Sequence, residues 1–547
     1  MKKILSTAVA VMGVIFTLGA QKTEFGGELI SLPNMKHTDA LLYSQTENSF
    51  MSARVAALGG AFTSLGADLS SMSINPAGLG MYRTSAFSIS GDLGVARSYN
   101  DFNPAGKSKS AFTFNQIGTA LNLYQSSGTL VSFTFGFAYN KLADLNYNQS
   151  YGWRDGDVSI GEFFAEQMYG FPSSVLSANA DPCPFRNENI YIDEWAGALA
   201  YQTALIDPVK DEAGLETGAY EVTGVPLDAK VAGSMKANSR GSVGEYTFSS
   251  GLNISNILYL GATLGIQDIS QTIRYSYTEQ YAQPHKNDAY LEYMNFTPVS
   301  GNYGSGVNFK IGAIVRPISS LRLGVAYHSG TITSLTKEYY AAMETQFMGG
   351  VPNYYTSETL THLYTYSYTT PSKLLLGASY TLGNRVLLSV DYDVVWNRSM
   401  ELHSKDRLNE DNFKQNVEDD FGTSNNIRVG IEVVPVQGIY LRGGYAYYGS
   451  PFNEAAEQYA DEGGLFYGAY KRSTTNFSLG AGFRFVSGSV LDLAWTSSTA
   501  RYTDSALYYY YTDDVAAGSE PIEVVSPLTT GNKLRRSVFT MTYSYLF

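Results

Sequence analysis

From Thr84 to the last residue, apolar and polar side chains alternate in segment after segment with a period of two. The C-terminal segment is the clearest example, because its apolar residues all fall on one face: Phe539, Met541, Tyr543, Tyr545 and Phe547. Small polar residues occupy the other face. A period of two is typical of a β-strand with one apolar and one polar face. The chain from Thr84 onward is therefore predicted to be all β-structure.

Fourteen segments show this alternation, and the connections between them are of two kinds. The predicted strands are 84–97, 110–125, 128–142, 243–254, 257–281, 303–316, 320–340, 362–381, 384–400, 424–436, 438–449, 472–486, 489–503 and 533–547. Very short turns alternate strictly with long connections, the longest of which is 143–242. An outer-membrane barrel has short turns on one side and long loops on the other, whereas a sandwich mixes its loop lengths. We therefore predict an all-β membrane protein, a 14-stranded antiparallel transmembrane β-barrel over 84–547.

A short helical segment, 48–83, precedes the first predicted strand. Its apolar residues recur at steps of three and four, which is the spacing of one helix face: Met51, Val55, Leu58, Phe62, Leu65, Leu69 and Met72. Glycines interrupt this pattern, so we expect short helical turns, and Pro76 ends it because proline lacks an amide donor. A barrel of this strand number has a lumen too wide for its own side chains to fill. The segment is therefore predicted to be a plug in the lumen.

The N-terminus and the composition are those expected of an exported protein. Lys2–Lys3, an apolar run and Gly19–Ala20 make 1–20 an expected signal peptide, followed by an N-terminal extension, 21–47. The formal net charge of -13 argues against a nucleic-acid partner. The 43 tyrosines fit the aromatic girdles of membrane strands. Cys183 is the only cysteine, so no internal disulfide can form.

The stretch from Ala53 to Gly80 resembles the N-terminal hatch of the FadL/TodX family of outer-membrane transporters for hydrophobic compounds. The matching residues, which the resemblance makes the hatch or gate, are Gly59, Gly60, Phe62, Asp68, Asn75, Pro76, Ala77 and Gly78. In the family an Asn-Pro-Ala motif lies in the hatch just before the first strand, as it does here. The chain departs from the family in the residues ahead of the hatch, 21–50, and in the size of the loop 143–242.

The resemblance implies a passive transporter of hydrophobic small molecules, such as long-chain fatty acids, in the outer membrane of a Gram-negative-type bacterium. Outer loops capture the ligand, the lumen binds it, and hatch movement releases it sideways through the barrel wall. The implied partners are this ligand, outer-membrane lipid and, because the last strand ends in Phe547, the outer-membrane assembly machinery.

We expect a monomer with no cofactor, no metal and no enzymatic activity, since the sequence contains no catalytic constellation. Two alternatives stay open. One is a non-transporting assembly or secretion shuttle on the same fold, and the other is a general porin.

The long connection 143–242 contains two segments with helical spacing, 160–178 and 190–206. Their apolar residues are candidates for ligand capture at the cell surface: Phe164, Met168, Phe171, Trp195 and Leu199. The alternative is that the two helices pack on each other as a lid. The sequence does not decide between the two.

Charged and polar residues on the polar face of the strands are expected to face the lumen. The candidates are Arg322, His328, Arg428, Glu432, Arg484 and Asp492. Such residues are typical of a water-filled lumen, and they could equally recognise a ligand head group. A second Asn-Pro-Ala-Gly, Asn103–Gly106, lies in a predicted outer loop, where turn chemistry explains it. The acidic stretch 418–420 is interpreted as a solvated loop rather than a calcium site.

Overall fold

The computed structural model describes residues 27–29, 37–45, 51–101, 103–156, 158–225, 230–281, 290–349, 353–383, 385–403, 407–461, 471–486, 488–503, 508–512, 523–525 and 531–547. The expected signal peptide, 1–20, and most of the expected extension, 21–47, lie outside the described residues. No helix in the described ranges is both long and apolar enough to cross a membrane.

Fourteen antiparallel strands close into a barrel, as predicted. In chain order they are β1 (Ala86–Asn100), β2 (Asn103–Gln125), β3 (Leu130–Asp144 and Tyr147–Gly156), β4 (Val231–Ile254), β5 (Leu258–Tyr281), β6 (Tyr290–Ile318), β7 (Leu321–His328 and Ile332–Met348), β8 (Asn353–Glu358, His362–Thr369 and Ser372–Leu382), β9 (Val386–Trp396 and Glu401–His403), β10 (Thr423–Val436), β11 (Ile439–Tyr448), β12 (Lys471–Arg484), β13 (Ser489–Tyr502) and β14 (Asn532–Leu546). The barrel closes through β1 and β14, with Ala86 opposite Leu546 and Asn100 opposite Asn532.

The remaining elements lie before the barrel or between its strands. The α-helices outside residues 51–82 are His37–Ser44, Ile160–Gln167, Ser173–Leu176, Trp195–Gln202, Arg407–Asp420 and Glu454–Asp461. Short 3₁₀-helices are Pro184–Arg186, Ile192–Glu194 and Asn397–Ser399. Ile206–Lys210 pairs with Glu216–Val222, and Tyr508–Thr512 pairs with Gly27–Leu29 and Glu523–Val525. The acidic stretch 418–420 thus ends a helix and is not an irregular loop.

The apolar face of the barrel strands points outward. On β12, Phe477 and Leu479 are each 60% exposed, whereas the alternating residues Asn476 and Ser478 are buried. A soluble sandwich places its apolar face inward, so this arrangement excludes one. An outer apolar belt around a polar interior is the arrangement of a membrane-spanning barrel. Closure also pairs the backbone groups that hydrocarbon cannot solvate.

Several strands continue well beyond the apolar belt. Along β5 the outward-facing exposed residues change from Leu264 and Ile266 to Asp268, Ser270 and Thr272. A membrane strand needs only about ten residues, and β5 has 24. The part of the wall beyond Ile266 therefore projects outside the membrane with polar residues on its outer surface.

Several predicted loop boundaries on this side of the barrel were wrong. Residues 98–100 and 103–109 belong to β1 and β2, 290–302 belongs to β6, and the loop predicted as 143–242 shrinks to the stretch between Gly156 and Val231. The projecting wall is polar outside, so an apolar pattern alone ends at the membrane boundary. Asn103–Gly106 likewise opens β2, where the Asn103 amide donates to Asn100 Oδ1 at 2.7 Å.

Residues 51–82 form a compact segment of short turns, as the interrupted pattern predicted. It consists of the helices Ala53–Ala57 and Ser71–Ile74 and the 3₁₀-helix Pro76–Met81. Ser52 caps the first helix by accepting the Val55 amide, and Gly59 and Gly60 follow with φ of +64° and +82°. Those left-handed conformations are accessible mainly to glycine, which explains the break. Nearly every residue from Met51 to Gly80 is buried.

The segment lies inside the barrel, where its backbone approaches glycines of the wall. At each of these glycines an added Cβ would lie within 2.8 Å of an atom of the segment, and they belong to nine different strands: Gly136, Gly251, Gly261, Gly312, Gly324, Gly377, Gly430, Gly444 and Gly480. At Gly377 and Gly430 the distances are 2.8 Å to Thr63 Cβ and 2.7 Å to Leu58 O. Contacts on so many strands place the segment across the lumen.

We predict that Gly444→Ala loosens the segment while its neighbour Gly443→Ala does not. A Cβ at Gly444 would lie 2.2 Å from the Gly59 nitrogen, whereas a Cβ at Gly443 would lie 3.7 Å from Ile431 Cγ2, which is an ordinary contact. Overpacking of this kind costs about 1–3 kcal/mol. Planar-bilayer recordings should show more ion leak for the first variant only. Both variants should keep the gel mobility of a folded barrel, and equal leak in the two would contradict the prediction.

Candidate functional site

Asn75 joins the two halves of the N-terminal segment and fixes them to the wall. Its side-chain nitrogen donates to the Thr63 carbonyl at 2.6 Å, and lies 3.4 Å from the carbonyl oxygens of Ala313 on β6 and Val325 on β7. Its Oδ1 accepts the Ala77 amide at 3.1 Å. Pro76 begins the 3₁₀-helix, where a missing amide donor costs nothing. The Asn-Pro-Ala sequence is thus fully buried, and it connects the segment to two strands of the wall.

Gly78 and Asp68 complete the internal structure of the segment. The Gly78 amide donates to the Asn75 carbonyl at 3.0 Å, and the Gly78 carbonyl accepts the Ala67 amide at 3.1 Å. The Asp68 carboxylate accepts from the Ser52 hydroxyl at 2.9 Å and from the Ser70 amide at 2.8 Å. Asp68 therefore ties the start of the first helix to the start of the second.

Asp391 on β9 holds the middle of the segment. Its carboxylate accepts from the amides of Phe62 and Thr63 at 2.7 and 2.8 Å and from the Thr63 hydroxyl at 2.7 Å. Arg428 on β10 lies 3.4 Å from Asp391 and 2.7 Å from Asp393. A buried carboxylate needs both a counter-charge and hydrogen bonds, and Asp391 has both. Phe62 is completely buried beside this anchor.

Glu245 on β4 holds the second helix of the segment. It accepts from Ser73 Oγ at 2.8 Å, from Asn308 Nδ2 at 2.9 Å and from Lys310 Nζ at 2.5 Å. Asn140 on β3 donates to the same Ser73 hydroxyl at 3.0 Å. The segment is therefore bound through a charged pair on the opposite side of the barrel from Asp391.

A third charged group meets the first helix of the segment. Arg442 on β11 donates to Glu432 at 2.6 Å and to Asp492 at 2.5 Å, and Arg54 of the segment lies 3.9 Å from Glu432. The Arg54 guanidinium also lies 5.3 Å from the centre of the Phe62 ring. Two predicted lumen residues, Glu432 and Asp492, thus converge on an arginine that the sequence did not single out.

The other predicted lumen residues are dispersed. His328 is buried, and its Nε2 lies 2.8 Å from the Ile74 carbonyl of the segment. Arg428 belongs to the Asp391 anchor. Arg322 on β7 is only partly buried, and Arg484 is exposed at the end of β12. The structure therefore brings four of the six candidates onto the segment and its anchors and leaves Arg322 and Arg484 apart from them.

A cavity of about 150 Å³ lies between the segment, the helix His37–Ser44 and the wall. Apolar side chains on one part of its lining come from the segment and that helix: Leu41, Met51, Val55 and Ile74. Basic side chains on the lining are Lys310, Lys373, Arg428, Lys471 and Arg472, against the acidic Glu245 and Asp393. The cavity thus has both an apolar surface and a basic one.

The five predicted capture residues do not face solvent. Phe164, Met168, Phe171, Trp195 and Leu199 are all buried in one apolar cluster with residues of β3 to β7, such as Trp153, Met294 and Tyr339. In this structure the five residues form no exposed groove and pack as part of a lid. The projecting wall supplies the apolar surface on which the lid packs.

A buried carboxylate sits where the lid joins β5. Glu279 accepts from the Ser159 hydroxyl at 2.7 Å and from the Ile160 amide at 2.9 Å. Tyr277 and Tyr281 donate to it as well. Burial raises the pKa of the Glu279 carboxyl, although these hydrogen bonds oppose the shift. Ser159 is the cap of the helix Ile160–Gln167, so Glu279 fixes the first turn of the lid.

The wall itself has an unpaired seam between β2 and β3. Their ladder runs from Gln125 opposite Ser132 to Gln116 opposite Asn140 and ends there. In the described part of the chain, 103–114 pairs only with β1, while 141–156 pairs only with β4. Side chains span this seam, for instance Asn148 Nδ2 to the Ser108 carbonyl at 3.2 Å. We call this stretch the β2–β3 seam.

Sequence reasoning missed most of the anchors. Asp391, Glu245, Lys310 and Arg442 are ordinary polar-face residues of their strands, and their partners lie far away along the chain. The glycines carried a usable signal, because they recur on the polar, inward face of successive strands. A glycine within a strand marks either local curvature or the close approach of another part of the chain, and here the segment makes that approach.

The structure defines a fourteen-stranded, membrane-type barrel whose interior is occupied by its own N-terminal segment. A Pseudomonas aeruginosa FadL homologue of known structure has this fold, with a TM-score of 0.51 at 12% identity, covering 91% of this chain and 98% of that one. The Pseudomonas putida toluene transporter TodX aligns with a TM-score of 0.46 at 12% identity, covering 92% and 99%. The fold of the chain is thus the one that the FadL homologue has.

Sequence comparison alone finds no relative of this kind. No family model matches the chain, and no curated protein matches it.

We predict that Asp391→Ala frees the middle of the segment, whereas Asp393→Ala does not. Both substitutions remove a partner of Arg428, but only Asp391 accepts the Phe62 and Thr63 amides. Removing one member of a buried charged pair costs about 3–5 kcal/mol. Hydrogen exchange should show loss of protection at those two amides in the first variant only. Equal protection in both variants would show that Asp391 is not an anchor.

We also predict that the lid loosens as pH rises, through Glu279. Because the closed lid raises the carboxyl pKa above its ordinary 4.5, the closed state holds the proton more tightly than the open state. The closed lid therefore becomes less stable relative to the open lid as pH rises from 4.5 through the raised pKa. Exchange at the Ile160 amide, corrected for its intrinsic rate, should increase as pH rises above about 4.5. Glu279→Gln cannot titrate, so an identical increase in that variant would contradict the assignment.

Proposed function

We propose that the protein is a passive outer-membrane transporter of hydrophobic small molecules, with long-chain fatty acids or similar amphiphiles as the ligand. The observation that carries this proposal is the occupied lumen, in which a plug-like segment borders a cavity with apolar and basic surfaces. The N-terminal segment, residues 48–83, acts as the hatch. The FadL-type fold agrees with this reading but does not identify a ligand.

The cavity suits an amphiphile with a negative head group. Lys310 and Arg428 lie on its lining with their carboxylate partners, and Met51, Val55 and Ile74 offer an apolar surface. Each methylene buried on such a surface favours binding by about 0.8 kcal/mol. An acyl chain therefore gains affinity with its length, while the head group is oriented by charge.

The hatch blocks the straight path through the barrel, so release is proposed to be lateral. The β2–β3 seam is the candidate exit, because no main-chain ladder closes it in the described strands. Phe112 and Phe114 beside it face outward and are 65% and 60% exposed, so the seam opens toward the apolar belt. A ligand that leaves there enters the membrane without crossing water.

Capture at the cell surface requires the lid to move. The five capture candidates are buried, so they can meet a ligand only after the lid opens. The Glu279 contact fixes the lid at its first helix, which makes it the natural point of control. A general porin fits less well, since the lumen is crossed by the segment.

We predict that replacing both Asn75 and Pro76 with alanine changes permeation while the barrel stays folded. The double variant loses the connection to Thr63, β6 and β7, so ion leak should rise and uptake of radiolabelled oleate should change. The control is Arg484→Ala, an exposed residue outside the segment and its anchors. Wild-type leak and wild-type uptake in the double variant would remove the gate role.

Mass spectrometry of gently purified protein tests the ligand class directly. The proposal expects a lipid-like acid bound above the background of an unrelated barrel. Absence of any such molecule, together with oleate uptake unchanged by deletion of the protein, would overturn the transporter proposal. Stoichiometric protein partners instead of lipid would support the shuttle alternative.

A further inference from the structure

The β2–β3 seam is crossed by a buried charged group that no ligand or hatch role explains. Lys141 on β3 lies 3.5 Å from Asp92 on β1 and 3.7 Å from Asp144, and it donates to the Thr113 hydroxyl on β2. Arg536 on β14 approaches Asp144 at 3.1 Å. One lysine thus connects the three strands around the seam, and Asp144 extends the connection to a fourth.

The seam is a place where the wall can separate at low cost. Where neighbouring strands share a continuous ladder, as β4 and β5 do, separating them exposes every one of those main-chain groups. The β2–β3 ladder ends at Gln116 and Asn140, and beyond these residues side-chain contacts join the two strands in place of main-chain hydrogen bonds. Register shifts at Ser90/Gly91 and at Lys141/Ala143 interrupt the ladders that border it. Such irregularities bend strands locally, so β3 can move against β2 without breaking a regular sheet.

The seam also lies between the cavity and the apolar belt. Leu142, the neighbour of Lys141, lines the central cavity. A second, small cavity of about 20 Å³ lies at the seam itself, with Asp92, Lys109, Thr113, Asp144 and Arg536 on its lining. Phe112 and Phe114 cover the outer surface beside it. A ligand that left the cavity lined by Leu142 through the seam would have to pass the partners of Lys141, Asp92 and Thr113.

The hatch is held far more firmly than the seam. It is packed against glycines of nine strands and anchored by Asp391 and Glu245. We therefore propose that Lys141 is a latch, whose contacts with Asp92, Asp144 and Thr113 hold the β2–β3 seam shut. Opening this latch admits the ligand to the membrane while the hatch stays docked. The inference rests on the proposed lateral release and adds the residue that controls it.

A disulfide across the seam tests whether the seam has to open. Ser108→Cys and Asn148→Cys, in a Cys183→Ser background, join the two strands where Asn148 already reaches the Ser108 carbonyl. Oxidation should lower oleate uptake by cells on the order of tenfold, and reduction should restore it. The control disulfide joins Thr336→Cys to Thr365→Cys, whose hydroxyls lie 2.9 Å apart in the continuous β7–β8 ladder. It should leave uptake unchanged. Full uptake by the oxidised seam variant would overturn the latch.

Substitution of Lys141 tests the charge itself. Lys141→Met leaves Asp92 and Asp144 facing one another without their shared cation, so the seam should open more often and oleate uptake should rise severalfold. Lys141→Arg keeps the charge and should restore wild-type uptake. An unchanged rate in a folded Lys141→Met barrel would contradict the proposal.

Spin labels on the two seam cysteines give a readout that needs neither transport nor a disulfide. Lys141→Met should broaden the distance distribution between the labels, and identical narrow distributions in wild type and variant would overturn the latch. If the wild-type protein carries no oleate at all, the proposed function fails. The spin-label distances then decide the latch by themselves.

Discussion

The interior of this protein depends on the close approach of one backbone to another. Residues 51–82 touch the barrel wall at glycines, where an added Cβ would overlap atoms of the segment. Close backbone packing lets short turns reach both sides of the lumen. It also brings buried amides within reach of wall carboxylates, which is how Asp391 accepts two successive amides. Without the glycines, the polar anchors would be too far away to form.

The charged side chains inside the barrel form separate local groups, each containing both acidic and basic residues. Each buried carboxylate that holds the segment has a basic partner within the same group: Arg428 for Asp391, Lys310 for Glu245 and Arg442 for Glu432. Pairing offsets the cost of taking these charges out of water. The basic side chains on the cavity lining are therefore already engaged, and a negative head group would compete with a carboxylate for them. Competition of this kind favours reversible binding, which a transporter needs.

The barrel and the helical segment could be predicted from the sequence because their signals are local. A period of two, turn lengths and the apolar spacing from Met51 to Met72 all lie within short stretches. The anchors could not be found in this way, since Asp391 and Phe62 are 329 residues apart and nothing near either one marks the other. The predicted strands ended too early for a different reason. Beyond Ile266 the outer face of β5 carries polar residues, so the apolar pattern that marks a membrane strand stops there. The sequence left open whether apolar residues such as Phe164 face a ligand or pack as a lid, because the projecting wall on which they pack was not predicted.

The first helix of the segment docks on the end of the chain. The Ala53 amide donates to Thr542 Oγ1 on β14 at 2.7 Å, and the Ala57 carbonyl accepts from Ser478 Oγ on β12 at 3.1 Å. These contacts lie on β12 and β14, and β14 is the strand that closes the barrel against β1. The earliest residues of the described interior therefore have no complete docking surface until the final strand is in place. A barrel that is not closed therefore lacks part of the surface that holds the first helix.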